Sequence, residues 1–239
     1  MFSGLDWSIL WRPPFGGQLR DAILLTTEIA FYAWVGALVI GLAVGIAREA
    51  PAAPVRALAT AHVELFRNIP VLVQLFFVYY VLPRLLPPAE RHALFELGWE
   101  MWSAVLTLAL YSSAKIAEHV RAGLNAVGGG IRMAARSTGL SWGQTQRFVV
   151  LPLLLRVIAP SLTSEFVTIF KGSSLAMMVG VPETAYVTQQ LGTETFHWVE
   201  ANTLGTGVYL VCAWLIAGLM SVIERRTRVP GLIGRAARG

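Results

Sequence analysis

The stretch Ala22–Ala47, AILLTTEIAFYAWVGALVIGLAVGIA, decides the fold class, because Glu28 is its only charged residue. A helix of roughly 20 apolar residues is long enough to cross the hydrocarbon core of a bilayer. Four further stretches of similar character follow it along the chain. They are Ile69–Leu86, Trp102–Gly123, Leu153–Val181 and Thr206–Ile223. The sequence therefore predicts an all-α integral membrane protein with about five transmembrane helices in one domain, residues 1–239.

The composition also favours a membrane over water. The chain is 55% hydrophobic and 14% charged, with a mean hydropathy of +0.60, whereas soluble domains are about a quarter charged. The net charge of +5 does not require a nucleic-acid partner, since cytoplasmic loops of membrane proteins collect positive charge. The single cysteine, Cys212, excludes an intrachain disulfide and a cysteine-based metal site. The first 20 residues do not resemble a cleavable signal peptide.

The basic residues are distributed unequally between the segments that connect the spans. Twelve lie after the first span, after the third span and in the C-terminal tail, and four lie in the other segments. Because cytoplasmic segments are enriched in Lys and Arg, this bias predicts an external N-terminus and a cytoplasmic C-terminus. Five of the twelve belong to the tail: Arg225, Arg226, Arg228, Arg235 and Arg238.

The predicted cytoplasmic segment Gly128–Leu151, GGGIRMAARSTGLSWGQTQRFVVL, carries helix signals of its own. Its three glycines end the third span, and Arg132–Thr138 suits a short helix that Gly139 can terminate, glycine being the usual C-terminal stop. Ser141 and Gln144 form an S-x-x-Q capping box that starts a second short helix.

The second short helix would run toward Pro152, so we expect a helix–turn–helix elbow outside the bilayer. The small side chains of Ala134 and Ala135 lie beside basic residues in its first arm. Small side chains let another protein's surface approach closely. An ordinary solvated loop is the alternative interpretation.

Several motifs of this chain resemble those of a known transporter family. The pattern AARSTGL-x6-RFVVLP is similar to the coupling loop of binding-protein-dependent ABC importers. Longer stretches resemble the polar amino-acid permease branch, and shorter ones resemble glutamate/aspartate importer permeases. The longer stretches are VELFRNIPVLVQLFF (Val63–Phe77), AKIAEHVRAGLNAV (Ala114–Val127) and SEFVTIFKGSSLAMMVGVPE (Ser164–Glu183). The shorter ones are LDW (Leu5–Trp7), PFG (Pro14–Gly16) and ERRTRVPG (Glu224–Gly231).

The resemblance implies an ABC type I importer permease in the bacterial cytoplasmic (inner) membrane, moving polar amino acids and in particular glutamate and aspartate. It implies three partners: a separate ATP-binding subunit, expected as a dimer, a second related permease subunit and an extracytoplasmic substrate-binding protein. Neither Lys115 nor Lys171 lies in a P-loop pattern, so we expect ATP hydrolysis in the partner chain and no cofactor, metal or catalytic set here. A glutamine or arginine importer and an ion-coupled secondary transporter are the alternatives.

The resemblance also assigns the contact with the ATP-binding subunit to the elbow. Two positions depart from the family pattern, since Met133 replaces its glutamate and Gly128 replaces its usual proline. We expect coupling to survive, because Gly139 and the flanking helices remain. The assigned contact residues are Arg132, Met133, Ala134, Ala135, Arg136, Gly139, Leu140 and Ser141.

Ionisable side chains inside the spans are the candidate substrate ligands, since such groups are costly in lipid and usually face protein or water. We hypothesise that Lys115 lines the substrate pathway and attracts the side-chain carboxylate of an acidic substrate, with an intrahelical pair to Glu118 as the alternative. A basic residue at this place resembles the glutamate/aspartate type. The other candidates either line the pathway or hold two permeases together, and the serine hydroxyls could instead bond the helix backbone. They are Glu165, Lys171, Ser173 and Ser174.

Overall fold

The computed structural model describes residues 5–13 and 15–227, and no side chain beyond Val222. Arg228, Arg235 and Arg238 of the basic tail lie outside the described residues, as do Pro14 and the side chains of Arg225 and Arg226. Every regular element in the described part of the chain is helical. The α-helices are α1 (Phe15–Ala47), α2 (Ala53–Asn68), α3 (Val71–Phe76), α4 (Pro88–Glu96), α5 (Trp99–Val127), α6 (Gly129–Ser137), α7 (Trp142–Thr145), α8 (Leu151–Gly172), α9 (Thr184–Thr195) and α10 (Trp198–Thr227).

Five short helical turns of tighter or wider pitch complete the described elements. They are Trp7–Leu10, Phe77–Val81, Leu82–Leu85, Gln146–Val150 and Ser173–Val179. Three helices are each long and apolar enough to cross a membrane: α1, the continuous helix Trp142–Val179 and the α10 stretch Trp198–Val222. Two bent pairs meet the same criterion when taken together, namely α2 with Val71–Leu85 and α4 with α5. By length and composition the described chain thus has up to five spans, and each predicted stretch overlaps one of them.

Close contacts at glycines give the relative directions of three spans. Contacts at higher residue numbers of α1 are made at higher residue numbers of α5, so these two helices are parallel. Contacts at higher residue numbers of α5 are made at lower residue numbers of α8, so these two are antiparallel. Odd and even spans of a multi-span protein alternate in this way. The contacts are Gly36–Ala109 and Gly45–Val120 between α1 and α5, and Leu108–Gly172 and Gly123–Ile158 between α5 and α8.

Glycines on α1 let it pack directly on α5. A Cβ atom placed on Gly41 would lie 2.6 Å from the Cβ atom of Ile116, and one on Gly45 would lie 2.5 Å from the Cβ atom of Val120. The two glycines have the G-x-x-x-G spacing that brings helix backbones together in membranes, where small residues rather than a hydrophobic effect permit close association. The pair α1–α5 is thus the tightly packed centre of the fold.

We expect Gly45→Val to lower the free energy of unfolding by about 1–3 kcal/mol, the usual cost of overpacking a well-filled contact. The new side chain would overlap Val120 unless the two helices move apart. Gly218→Val on α10 is the matched control, because nothing lies within 4 Å of a Cβ atom at that position. Thermal unfolding of the purified protein in detergent measures the difference, and equal melting temperatures for the two variants would contradict the packing described.

The second predicted span is broken at a corner. α2 ends at Asn68, and the chain then turns by 105° into Val71–Leu85. The Gln74 side-chain amide donates hydrogen bonds to the carbonyl oxygens of Phe66 at 2.9 Å and Ile69 at 2.7 Å. It thereby satisfies backbone groups that the broken helix leaves free, which lipid cannot do. The sequence predicted the apolar part of this span and assigned no helix to α2.

Candidate functional site

Lys115 on α5 and Glu165 on α8 form a salt bridge between two spans. The Lys115 Nζ atom lies 3.6 Å from Glu165 Oε1 and 4.6 Å from the centroid of the Tyr111 ring, a cation–π distance. Glu165 is 5% exposed, whereas 31% of the Lys115 side chain remains exposed. The structure thus brings two of the predicted pathway residues together, and the lysine is the more exposed of the two.

The Glu165 carboxylate has an oxygen atom whose capacity to accept hydrogen bonds is unsatisfied. Its Oε1 atom is buried and has no hydrogen-bond partner among the described residues. The 3.6 Å separation from Lys115 exceeds the range of an N–H···O hydrogen bond. A buried carboxylate is costly unless it is both paired and hydrogen-bonded, so this salt bridge is weak for its location.

Glu118, the alternative partner considered for Lys115, is occupied elsewhere. Its carboxylate lies 2.5 Å from Arg48, 2.9 Å from Arg121 and 3.5 Å from Arg67, measured to the nearest guanidinium nitrogen. These residues join the end of α1, α2 and α5 at the predicted cytoplasmic end. The intrahelical pair between Lys115 and Glu118 is therefore absent.

The structure places the remaining pathway candidates apart from this salt bridge. The Ser173 hydroxyl donates to the Phe170 carbonyl at 2.6 Å, and the Ser174 hydroxyl donates to the Lys171 carbonyl at 2.8 Å. Both hydroxyls thus bond the helix backbone. The Lys171 side chain is exposed and lines an open groove of about 950 Å³ between α8, α9 and α10, which Lys115 and Glu165 do not line.

Glu183 is a buried polar residue that the sequence analysis did not single out. It is 0% exposed and caps α9, accepting hydrogen bonds from the amides of Ala185 at 3.0 Å and Tyr186 at 2.9 Å. The Tyr209 hydroxyl donates to it at 2.6 Å, and the Thr26 hydroxyl donates at 3.4 Å. It therefore ties α1, α9 and α10 together. A carboxylate directly before a helical stretch, as in V-P-E-T, was the available signal.

Asp6 and Glu200 join the chain start to α10 at the predicted outer end. The Asp6 amide donates to Glu200 Oε1 at 2.8 Å. The Asp6 carboxylate accepts hydrogen bonds from the Ser8 hydroxyl at 2.5 Å and the Ser8 amide at 3.0 Å. These two hydrogen bonds hold the pKa of Asp6 below its usual value, because they favour the charged form.

The predicted elbow is present after α5, but Gly128 alone separates the two helices, since Gly129 and Gly130 begin α6 instead of ending the third span. α6 spans Gly129–Ser137, and Gly139 follows it with a φ of +85°, a left-handed conformation that glycine adopts without strain. The capping box is formed in both directions: the Gln144 amide donates to Ser141 Oγ at 3.3 Å, and the Ser141 amide donates to Gln144 Oε1 at 2.9 Å. The second arm continues past Pro152 without a break and belongs to the long helix Trp142–Val179.

Two of the residues assigned to the elbow contact point into the chain. Arg132 Nη1 lies 3.3 Å from Glu49 Oε2, and Arg132 Nη2 donates to the Leu124 carbonyl. Ala135 is buried. Arg132 thus fastens α6 to the α1–α2 connection and to the end of α5.

The other assigned elbow residues remain on the outside of the elbow. Met133 is 67% exposed, and Leu140 is half-buried. We call the exposed members the elbow surface: Met133, Ala134, Arg136, Gly139 and Ser141.

These features define a class of protein: a multi-span helical membrane subunit with an ion pair between its spans and an exposed elbow at one end. The family model described as "Binding-protein-dependent transport system inner membrane component" matches residues 23–229. The chain belongs to this family, and the resemblance seen in its motifs is confirmed.

Known relatives cover nearly the whole chain. The glutamate/aspartate import permease protein GltJ of Escherichia coli (strain K12) is 34% identical over 96% of this chain and 98% of its own length. The glutamine transport system permease protein GlnP of the same organism is 30% identical over 94% and 98%. The crystal structure of an amino acid ABC transporter with histidines matches with a TM-score of 0.77 and 25% identity, covering 93% of this chain and 99% of that chain. The all-α fold predicted from the sequence, that of type I ABC importer permeases, is thereby confirmed.

Proposed function

We propose that this chain is the permease subunit of an ATP-driven importer of polar amino acids, with glutamate and aspartate as substrates. The observation that carries the proposal is the partly exposed Lys115 side chain between two spans, 31% exposed beside a buried carboxylate. An accessible cation within a span favours an anionic solute, because an ionisable group inside a membrane usually marks the path of a transported solute. The similarity to a glutamate/aspartate import permease supports the same substrate class. Glutamine or arginine import is the alternative within the family.

The exposed face of α5 supports a path beside Lys115. Leu110, Tyr111, Lys115 and His119 are each only partly buried and recur at spacings of one to four residues along one side of the helix. Residues three and four apart lie on the same helix face. No helix of the described chain covers this face completely, so a second permease subunit facing it would enclose a path.

The elbow surface supports coupling to a separate ATP-binding subunit, expected as a dimer. Its exposed side chains include small and flexible ones, which permit close docking of another protein. A displacement of the elbow by the ATP-binding subunit would be transmitted to the spans through two parts of the structure. One is the contact of Arg132 with Glu49. The other is the continuous helix Trp142–Val179, which carries Glu165.

The remaining partners follow from the same proposal. An extracytoplasmic binding protein would deliver the substrate to the predicted outer end, where α4 and α9 present exposed polar residues. The complex would lie in the cytoplasmic membrane of a bacterium, with the basic connecting segments inside. ATP hydrolysis would take place in the partner chain.

Lys115→Ala is expected to raise the KM for glutamate and aspartate about 10- to 100-fold, the range for losing a hydrogen bond to a charged group. Lys171→Ala is the matched control, because Lys171 lines the separate groove. The assay is uptake in proteoliposomes with ATP inside, a binding protein outside and radiolabelled Glu, Asp, Gln, Arg or His. Unchanged acidic amino-acid uptake by the Lys115 variant would refute its role.

The wild-type complex in the same assay tests the function itself. Uptake of glutamate and aspartate that stops without ATP supports both the importer class and the acidic substrate. ATP-dependent uptake of only neutral or basic amino acids keeps the importer class and removes the acidic substrate. Uptake that ignores ATP and collapses with an ionophore overturns the proposal in favour of an ion-coupled transporter.

A further inference from the structure

A small pocket opens at the end of the molecule opposite the elbow, where the second predicted span is followed by α4. Its volume of about 280 Å³ is near the lower limit for small-molecule pockets and suits a group the size of a phosphate. No carboxylate is among the described residues that line it, so its walls are cationic and aromatic. The lining residues are Tyr79, Tyr80, Pro83, Arg84, Arg91 and Phe95.

The two arginines of this pocket have no acidic partner in the described part of the chain. Both side chains are exposed, and neither forms a salt bridge with a described carboxylate. Glu96, on the same short helix as Arg91, lies 3.8 Å from His92 instead. Arg84 and Arg91 are also two of only four basic residues in the predicted outer segments, where positive charge is uncommon. Their charge is therefore available to a partner outside this chain.

The helix that carries Arg91 runs along the membrane surface. The chain bends by 89° between α4 and α5, and α5 crosses the bilayer, so α4 lies nearly in the membrane plane. Leu85 and Leu97, before and after α4, are 73% and 72% exposed, as expected of apolar side chains that enter the edge of the hydrocarbon. Tyr79 and Tyr80 line the pocket, and tyrosine is enriched at the depth of lipid headgroups. The pocket therefore opens at the level of the lipid phosphates.

Contacts between separate elements form the pocket. The Phe95 ring of α4 stands edge-on to the Tyr79 ring, with 6.1 Å between the centroids. The Trp99 indole at the start of α5 donates a hydrogen bond to the Tyr79 carbonyl at 3.3 Å. Arg84 comes from the turn that ends the second span, and Arg91 comes from α4. The fold thus brings two guanidinium groups to one pocket with fixed aromatic walls.

We propose that Arg84 and Arg91 bind the phosphate of an anionic phospholipid in the outer leaflet of the membrane. Guanidinium groups direct paired N–H donors at phosphate oxygens, and basic pockets of membrane proteins recognise lipid headgroups. A zwitterionic lipid carries an ammonium group that competes with the arginines for its phosphate, so the pocket prefers an anionic lipid. The bound headgroup fastens α4 to the membrane surface. This site does not depend on which solute the protein transports.

Native mass spectrometry tests the inference by counting the lipids that the purified complex retains from an equal mixture of phosphatidylglycerol and phosphatidylcholine. Arg84→Gln combined with Arg91→Gln should remove one phosphatidylglycerol per copy of this chain and leave phosphatidylcholine unchanged. The affinity for that lipid should fall about 10- to 100-fold, the range for a hydrogen bond to a charged group. Arg20→Gln is the matched control, because Arg20 is exposed at the predicted outer end and does not line the pocket.

Hydrogen exchange in nanodiscs gives a local measurement at the same site. Replacing phosphatidylcholine by phosphatidylglycerol should slow exchange of the α4 amides in wild type and not in the double variant. The amides of α9, at the same predicted end, report any general effect of surface charge. Either single substitution gives a smaller loss and decides the question if the double variant does not assemble.

Three results would overturn the inference. One is an equal lipid count for wild type and the double variant. Another is protection of α4 by inorganic phosphate in phosphatidylcholine nanodiscs to the extent that phosphatidylglycerol gives, which would assign the pocket to a free anion. The third is weaker docking of the binding protein to the double variant with an unchanged lipid count, which would assign the arginines to acidic side chains of that protein.

Discussion

Ala134→Arg is expected to reduce ATP-driven uptake about 100-fold while leaving the yield of folded protein unchanged, as a disrupted interface hot spot does. Ala134 is exposed on α6, within the elbow surface. An arginine there adds bulk and positive charge next to Arg136, so a docking partner must move away or bury a charge. Uptake in proteoliposomes and co-purification of the ATP-binding subunit measure the effect.

Ala93→Arg on α4 provides the matched control for co-purification of the ATP-binding subunit, since Ala93 is also an exposed alanine in a short helix. It lies at the predicted opposite end of the molecule, where the ATP-binding subunit does not reach. Wild-type uptake by the Ala134 variant would show that the elbow surface is not the docking site. Equal losses of the co-purified ATP-binding subunit in both variants would point to a general effect of the added charge.

Glu183→Ala is expected to lower the free energy of unfolding by about 3–5 kcal/mol, the usual cost of removing one partner from a buried charged network. Glu183 is fully buried, and its loss leaves the Tyr209 hydroxyl and the amides of Ala185 and Tyr186 without an acceptor. It also removes the cap of α9. The thermal unfolding midpoint in detergent and the size-exclusion profile report the change.

Glu194→Ala is the reference for this measurement, because Glu194 is an exposed glutamate on the same helix. Its one side-chain hydrogen bond comes from Gln190 at 2.7 Å. We expect its midpoint to stay near that of wild type, since isolated surface interactions contribute little. Similar midpoints for the two variants would contradict the structural role assigned to Glu183.

The apolar spans and the elbow were predictable because their signals are local. An apolar run long enough to cross a bilayer is visible in α1 without any knowledge of its neighbours. The capping box at Ser141 and Gln144 needs only three residues of spacing, and it formed as predicted. Gly139 likewise adopted the conformation expected of a glycine that ends a helix.

The pairing of side chains was not predictable, because it depends on which helices meet. Sequence spacing suggested Glu118 as the partner of Lys115, yet Glu118 pairs with Arg48 and Arg67 from other parts of the chain and with Arg121 on its own helix. Glu165 lies 50 residues from Lys115 in sequence and meets it only through the antiparallel packing of α5 and α8. For the same reason, the sequence did not predict that the Arg132 side chain points into the chain. A motif predicts where a residue lies along the chain, but it does not predict which side chain that residue contacts in the fold.

The glycine contact between α1 and α5 restricts how the molecule can move. With no layer of side chains between the two backbones, neither helix can slide or rotate past the other without a clash at Gly41 or Gly45. Packed interfaces of this kind are not continuously deformable. α1 and α5 therefore form a fixed frame, which carries Lys115. The displacement that opens and closes a transport path has to take place at helix boundaries other than this one.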